Sequence, residues 1–327
     1  MAETLGTWGA LIRGTGVIFR EFFSSNDYSQ VNGWDPVVRT MSSDDLTTNF
    51  TGKTGSGLLQ RFSDGSIIPT ASRYKLYDTA ATLEPYGERI EITRQTLLFR
   101  DFNGVFNENN DLIKSVKAIM SKAGAQIFNR AFTSGSGVTG GIRVVTYGDG
   151  VALASASHPR SDGGTAQSNT SATSIPLTET NVETARIALL NQLQDDGVPM
   201  GAPDEIYLVV GINNEKNALI ITGSDKRSGT GNNDVNIYAG GYMKVMSSSW
   251  LDNGISGSGV GLNTFWALVA PKWAKLAIVT KGAPELEFLK DKDTKSGLFD
   301  VIIDMAVCSY DWRGTWFSQG NNAAYSG

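Results

Sequence analysis

Four features of the sequence use residue types that can do chemistry. His158 is the only histidine and Cys308 the only cysteine. Asp195 and Asp196 are adjacent carboxylates, and Gly52-Lys53-Thr54 has the ending of a phosphate-binding loop. A Ser–His–acid triad would need His158 beside a serine and a carboxylate. Ser155 and Ser157 are neighbours only along the chain, and neither sits in a Gly-x-Ser-x-Gly elbow. One histidine and one distant cysteine do not compose a structural zinc site. His158 is therefore expected to be a turn or packing residue. Paired carboxylates can act as acid and base or bind metal. Adjacent side chains point apart, so Asp195 and Asp196 are expected in a solvated turn. A phosphate-binding loop needs a glycine five residues before Gly52, where the chain has Thr47, and an apolar strand ahead of it, which is missing. Cys308 ends the apolar run from Val301, as a buried structural thiol would. No catalytic centre, metal or cofactor is expected.

These residues lie on or near a succession of elements between Asp149 and Val210. A turn at Asp149-Gly150 is expected within strands spanning 142–154. A Gly/Ser-rich loop and a helix opening at Leu177 follow, with a capping box at Thr180-x-x-Glu183. Val182, Ala185, Leu189 and Leu193 form its apolar stripe, and Gly197 and Pro199 stop it. Glu205 to Val210 then reads as a strand buried on both faces. A helix from about Asn213 to Thr222, a polar loop over 224–236, and strands near 242–247, 264–270 and 276–280 complete an α/β unit.

Upstream, Leu112, Ile113, Val116, Ile119, Met120, Ala123 and Ile127 share one face of a helix over 108–133. At 1.5 Å per residue it would span roughly 37 Å. Glu108 and Asp111 are placed at its positive end. Lys114, Lys117 and Lys122 project from the opposite side, as an ordinary solvated face would. Residues 46–93 read as a long β-hairpin turning at Asp64-Gly65, too poor in apolar residues to stand alone. Residues 1–45 mix aromatics and glycines without a period. Near the C-terminus, 285–289, 298–303 and 306–312 read as three strands.

The chain has 327 residues, 40% of them apolar and 19% charged, which suits one large domain or two joined ones with a real core. Its net charge of −5 argues against a dedicated nucleic-acid-binding protein. No signal peptide is evident, and no run approaches the ~18 to 20 apolar residues that cross a membrane. A soluble product made in a cytoplasm is expected, and the glycosylation patterns at Asn49 and Asn169 then carry no meaning.

The ordered series Asp149-Gly150, His158, a loop with Asn169, a helix ending Asp196-Gly197-Val-Pro199, and Pro203 before an apolar strand resembles tailed-phage major capsid proteins, particularly Mu-like major head subunits. The segment Tyr86-Gly87-Glu-Arg-Ile90-Glu-Ile92-Thr93-Arg94-Gln95 resembles the one before their long helix. Together the matches cover roughly 85 to 270. The resemblance implies an α+β fold of the Hong Kong 97 type. It implies an N-terminal arm (1–45), an extended loop (46–93), a peripheral domain (94–160 and 281–327) with spine helix 108–133, and an axial domain (161–280). It also implies hexamers and pentamers closing an icosahedral shell around double-stranded DNA, assembled in a host bacterial cytoplasm. Scaffold, portal and decoration proteins are implied partners, with any scaffold a separate protein and no membrane involved. Leu58, Leu59, Arg61, Phe62, Ile67, Ile68, Tyr74 and Tyr77 become intersubunit candidates on the extended loop. Lys114, Lys117 and Lys122 become lumen- and DNA-facing candidates. Asp225, Lys226, Arg227, Asn232 and Asn233 become axial-loop candidates. An encapsulin-like compartment shares the implied fold. A hydrolase using His158 or the Asp195–Asp196 region, and a β-rich tail or fibre module, are the readings from other classes.

Overall fold

The computed structural model describes residues 20, 21, 23, 24, 33–71, 73–93, 95, 102–223, 236, 238, 241–252, 264–290 and 296–321. One strand organises it. β12 (Gly297–Asp311) has fifteen residues and runs about 50 Å at ~3.3 Å per residue. Two strands were expected here, broken before Ala306. They are one, because the period of two passes through Asp304. Phe299, Val301, Ile303, Met305 and Val307 point inward, while Asp300, Ile302 and Asp304 are more exposed. β10 (Lys275–Thr280) and β11 (Glu285–Lys290) line one edge of β12, antiparallel. β4 (Glu84–Ile92, antiparallel) and β6 (Ile142–Val145, parallel) line the other. β1 (Arg39–Ser42) joins β10, and β5 (Gly137–Thr139) joins β6, giving seven strands. Gly140 and Gly141, both at positive φ, make the β5–β6 turn. The strands expected around Asp149-Gly150 reduce to β6; residues 151–154 form none.

Across the inner face lies α1 (Phe102–Asn129), ~42 Å long. Its apolar stripe is buried as expected, from Leu112 to Ile127. It begins two turns earlier than its pattern suggests, since Asn103, Gly104 and Asn107 are weak helix formers that hide the start. Asp111 therefore sits in the third turn, and no acid occupies the first. Gly124, a poor interior residue, is explained by Trp34. A Cβ there would stand 2.6 Å from the indole Cγ. Trp34 is buried and stacks on Phe128 at 5.0 Å. Trp34, Val37 and Val38 thus belong to the core of the chain itself, and β1 follows them as an exposed edge strand. Most of residues 1–32, where an arm is expected, lie outside the described residues.

The hairpin is shorter than expected. β2 (Thr47–Phe50) pairs with β3 (Thr79–Thr82), and pairing continues thinly through Thr54 and Tyr74 to the turn at Ser63–Ser66. Residues 84–92, assigned to the hairpin from sequence, instead give nine ladder positions to β12. A nine-residue strand gains more from a central partner than from an isolated ribbon.

The second sheet has the order β13-β9-β7-β8, from β7 (Ile206–Gly211), β8 (Met243–Ser248), β9 (Trp266–Val269) and β13 (Thr315–Ser318). β7 is buried on both faces, as its unbroken apolarity indicates. Val209 faces α1, while Ile206, Leu208 and Val210 face α2 (Glu179–Leu190) and α3 (Ile212–Gly223). α2 is capped by Thr178, whose hydroxyl accepts from Asn181 N–H at 3.3 Å; Thr180, the expected cap, lies inside the helix. Leu193 lies beyond its end, bridging Pro199. β10, expected in this unit, belongs to the larger sheet, and β13 takes its place. The two sheets exchange strands at one crossing, where 270–274 runs against 311–315. Gly314 is required there: its φ is +76°, and a Cβ would lie 2.5 Å from Ala274 N. The buried Gln192 amide pairs with Gly314 N–H and Thr315 O at 2.8 and 2.9 Å, as a strand backbone would.

Gly124→Ala weighs two effects. Helix propensity favours alanine by ~1 kcal/mol, and overpacking opposes it by ~1 to 3 kcal/mol. Trp34 is held by Phe128 and cannot retreat freely, so the clash should win. Urea unfolding of the chain should show Gly124→Ala less stable than wild type, and Trp34→Ala weaker by ~3 to 5 kcal/mol.

Candidate intersubunit surface

The residues with chemical potential are committed to structure. His158 is 1% exposed and stacks on Trp312 at 4.3 Å. Its Nδ1 lies 2.7 Å from Asp149 Oδ2 and its Nε2 3.2 Å from Asn169 Oδ1. Both ring nitrogens therefore face fixed oxygens, and no serine reaches them. Asn169 also accepts from Ser155 N–H and donates to Leu153 O, tying the loop down. The packing role expected of His158 is the one observed. Cys308 is fully buried, and burial pushes its thiol up to about 12, far from a reactive thiolate. Lys53 faces Lys75 across the hairpin, so Gly52-Lys53-Thr54 opens no helix. Among the described residues no group of three His, Cys, Asp or Glu could hold a metal ion.

The Asp195–Asp196 pair corrects the expectation of a solvated turn. Asp195 is 6% exposed and lies 3.0 Å from the buried Arg313 guanidinium, which also bonds Asp311 and Leu193 O. Burial disfavours the Arg313 charge, yet Asp311 and Asp195 outweigh that and hold it above its ordinary range. A fork that matches two carboxylates suits arginine. Asp196 turns outward, accepting from Val198 N–H at 3.1 Å and Gly57 N–H at 3.3 Å.

The exposed surface is where the chain departs from a self-contained globule. Leu59 is fully exposed, and Ile67 (94%), Leu58 (75%), Ile68 (68%) and Phe62 (51%) crowd the same hairpin tip with exposed Arg61. Single exposed apolar residues are ordinary, but a cluster marks a contact surface. Tyr74 is partly exposed at the stem. Tyr77 differs: it turns inward, edge-on to Tyr147 at 5.8 Å. A smaller apolar face on α3 shows Ile212, Leu219 and Ile220.

The three lysines do not form one face. Lys114 is exposed and paired with Asp111 at 2.9 Å, and Lys117 is half-buried. Lys122 is half-buried over the Trp250 ring of α4 (Ser249–Asp252), so it is not among the outward groups. Asp225, Lys226, Arg227, Asn232 and Asn233 lie outside the described residues. Sequence reasoning missed Arg313 altogether; its only signal was a charge, Asp311-Trp312-Arg313, at the end of an apolar strand. Arg313→Met would leave Asp195 and Asp311 buried without their cation. It should lower unfolding stability by ~3 to 5 kcal/mol, and Arg313→Lys should recover only part of this.

The fold has known counterparts. The capsid of bacteriophage JBD30 superposes with a TM-score of 0.52 at 10% identity, covering 69% of this chain and 93% of that one. A chain of Mycobacterium phage Patience gives 0.50 at 10% identity over 97% and 89%. The capsid of an empty GTA particle gives 0.50 at 11% identity over 89% and 90%. At such identities the likeness is one of fold. No curated protein sequence matches. The model of a family described as phage capsid protein matches residues 76–316, from the hairpin's returning arm to β13. Its role is therefore structural and not enzymatic. With most of its 327 residues under that match, the chain belongs to the phage capsid protein family.

Proposed function

We propose that the chain is the major head subunit of a tailed bacteriophage, built on the Hong Kong 97 plan and similar in motif to Mu-like head subunits. Copies assemble in the host bacterial cytoplasm into hexamers and pentamers, which close an icosahedral shell around double-stranded DNA. Scaffold, portal and decoration proteins complete the particle. In this reading α1 is the spine helix and the β12 sheet the peripheral domain. The β7 sheet with α2 and α3 is the axial domain, the hairpin is the extended loop, and residues 1–45 form the arm.

The observation that carries the proposal is the hairpin tip. Burying five large apolar side chains is worth on the order of 10 kcal/mol before the costs of association. Among the described residues no surface of the same chain covers them, and a second copy is the economical partner. The shell wall is then a set of interfaces that exist only in the assembly. Lys114 and Lys117 are the lumen candidates that remain on the outward side of α1. Contacts there would be to phosphate, blind to sequence and weakened by salt.

Light scattering and negative-stain microscopy of purified protein should show shells tens of nanometres across, or hexamers and pentamers. A monomer under all salts and concentrations, even with its neighbouring gene products, overturns the proposal. The variant Leu59→Asp with Ile67→Asp should abolish assembly while leaving the unfolding midpoint unchanged, because both side chains are already in water in the subunit. Lys114→Glu with Lys117→Glu should leave empty-shell assembly intact and lower the DNA content of filled particles.

A further inference from the structure

Most of the hairpin stands away from the body. A cleft of about 290 Å³ lies under its root, between Thr54, Gly55 and Leu76 on one side and Gln194, Trp273 and Lys275 on the other. Among the described residues from Thr54 to Lys75, one hydrogen bond leaves the hairpin: Gly57 N–H to Asp196 Oδ2, 3.3 Å, across 139 residues of sequence. Two glycines permit it. Gly57 adopts φ +70°, where other residues are strained. Gly55 lacks a Cβ that would otherwise stand 2.2 Å from the same Asp196 oxygen. The other Asp196 oxygen accepts from Val198 N–H at 3.1 Å, which fixes the carboxylate's direction. Behind it, Asp195 locks the turn to the body through Arg313 and Ser161 N–H.

We infer that Asp196 is a positioning residue for assembly: its carboxylate clasps the hairpin backbone at Gly55–Gly57 and sets the angle at which the hairpin leaves the body. The two aspartates divide the work. Asp195 faces inward and anchors the turn; Asp196 faces outward and holds the strap. Leu58 and Leu59 follow Gly57 directly, and the turn with Ile67 and Ile68 lies beyond them, so a change at the clasp moves the exposed apolar residues with it. Opening the clasp releases the hairpin without unfolding either sheet. The inference rests on the assembly reading only for its effect on shells.

The test is hydrogen exchange on the full-length subunit, combined with a double-mutant cycle. Asp196→Ala should speed exchange at Gly57 and its neighbours about tenfold and leave β7 and β12 unchanged. Gly55→Ala should do the same while keeping the Asp196–Val198 bond, so its effect does not arise from a loosened turn. Gly55 is not in the left-handed region, so alanine itself fits its backbone. Combined, the two should give no more than either alone, because the clash needs the carboxylate. Unchanged exchange at Gly57 in Asp196→Ala, or strict additivity of the pair, overturns the clasp. Negative-stain images of Asp196→Ala should show a broader spread of particle diameters than wild type. Faster exchange with an unaltered spread would overturn the role in assembly while leaving the clasp in place. Failure of the wild-type chain to form any shell would instead count against the assembly reading itself, and the exchange result would stand apart from it.

Discussion

The structure depends on the crossing where two connections change sheets side by side. The chain leaves β9 for β10 at 270–274 and leaves β12 for β13 at 311–315. Each sheet thus holds a strand delivered by the other, and the two cannot separate without breaking both. Backbone at such a crossing cannot complete a normal ladder, and buried polar groups must find partners elsewhere. They do. Ala270 N–H bonds Gly314 O, and Gln192 stands in as a strand for Gly314 and Thr315. Arg313 gathers Asp195, Asp311 and Leu193 O around one guanidinium. Trp312 lies between Arg313 and His158, so the ionic cluster continues into the Asp149–His158–Asn169 cluster. The residues that looked most like chemistry are the fastenings of this joint.

From that joint the molecule becomes less self-sufficient with distance. Next to it, α1 and β12 bury nearly complete apolar stripes. Farther out, β12 continues with only β4 and β11 beside it. Beyond the cleft the hairpin carries Leu58, Leu59, Ile67 and Ile68, exposed with none of the described residues covering them. An unsupported two-stranded ribbon with an apolar tip is unfavourable for a solitary protein. In the proposed shell it would supply a driving force for association, and its thin attachment would let it adjust as the surroundings change.

Much of the fold was legible because it follows from periodicity. The i, i+3, i+4 stripe on α1, the unbroken apolarity of β7 and the Asp64-Gly65 turn are local signals, and each element is where it was expected. The hairpin tip was legible for the same reason: Leu58, Leu59, Ile67 and Ile68 flank a turn with too little around them to make a core. Boundaries were poorer. The weak formers before Asn107 concealed two turns of α1, and the cap moved from Thr180 to Thr178 because either hydroxyl could serve. Local sequence does not say which free N–H groups lie within reach.

Residue order along the chain was enough to find the long helix, the buried strand β7 and the hairpin turn, and to mark which faces are apolar. These depend on side chains within a few residues of one another. Whatever depends on pairing between distant segments was settled by the folded path. It gave β4 to β12 in place of the hairpin, exchanged β10 for β13 between the sheets, and turned Tyr77 and Lys122 inward. It also gave two adjacent aspartates opposite tasks. Asp195 meets Arg313 across 118 residues and Asp196 meets Gly57 across 139. Residue types and local spacing are the same whichever partner is met, so only the path of the chain in space distinguishes a buried ion pair from an outward clasp.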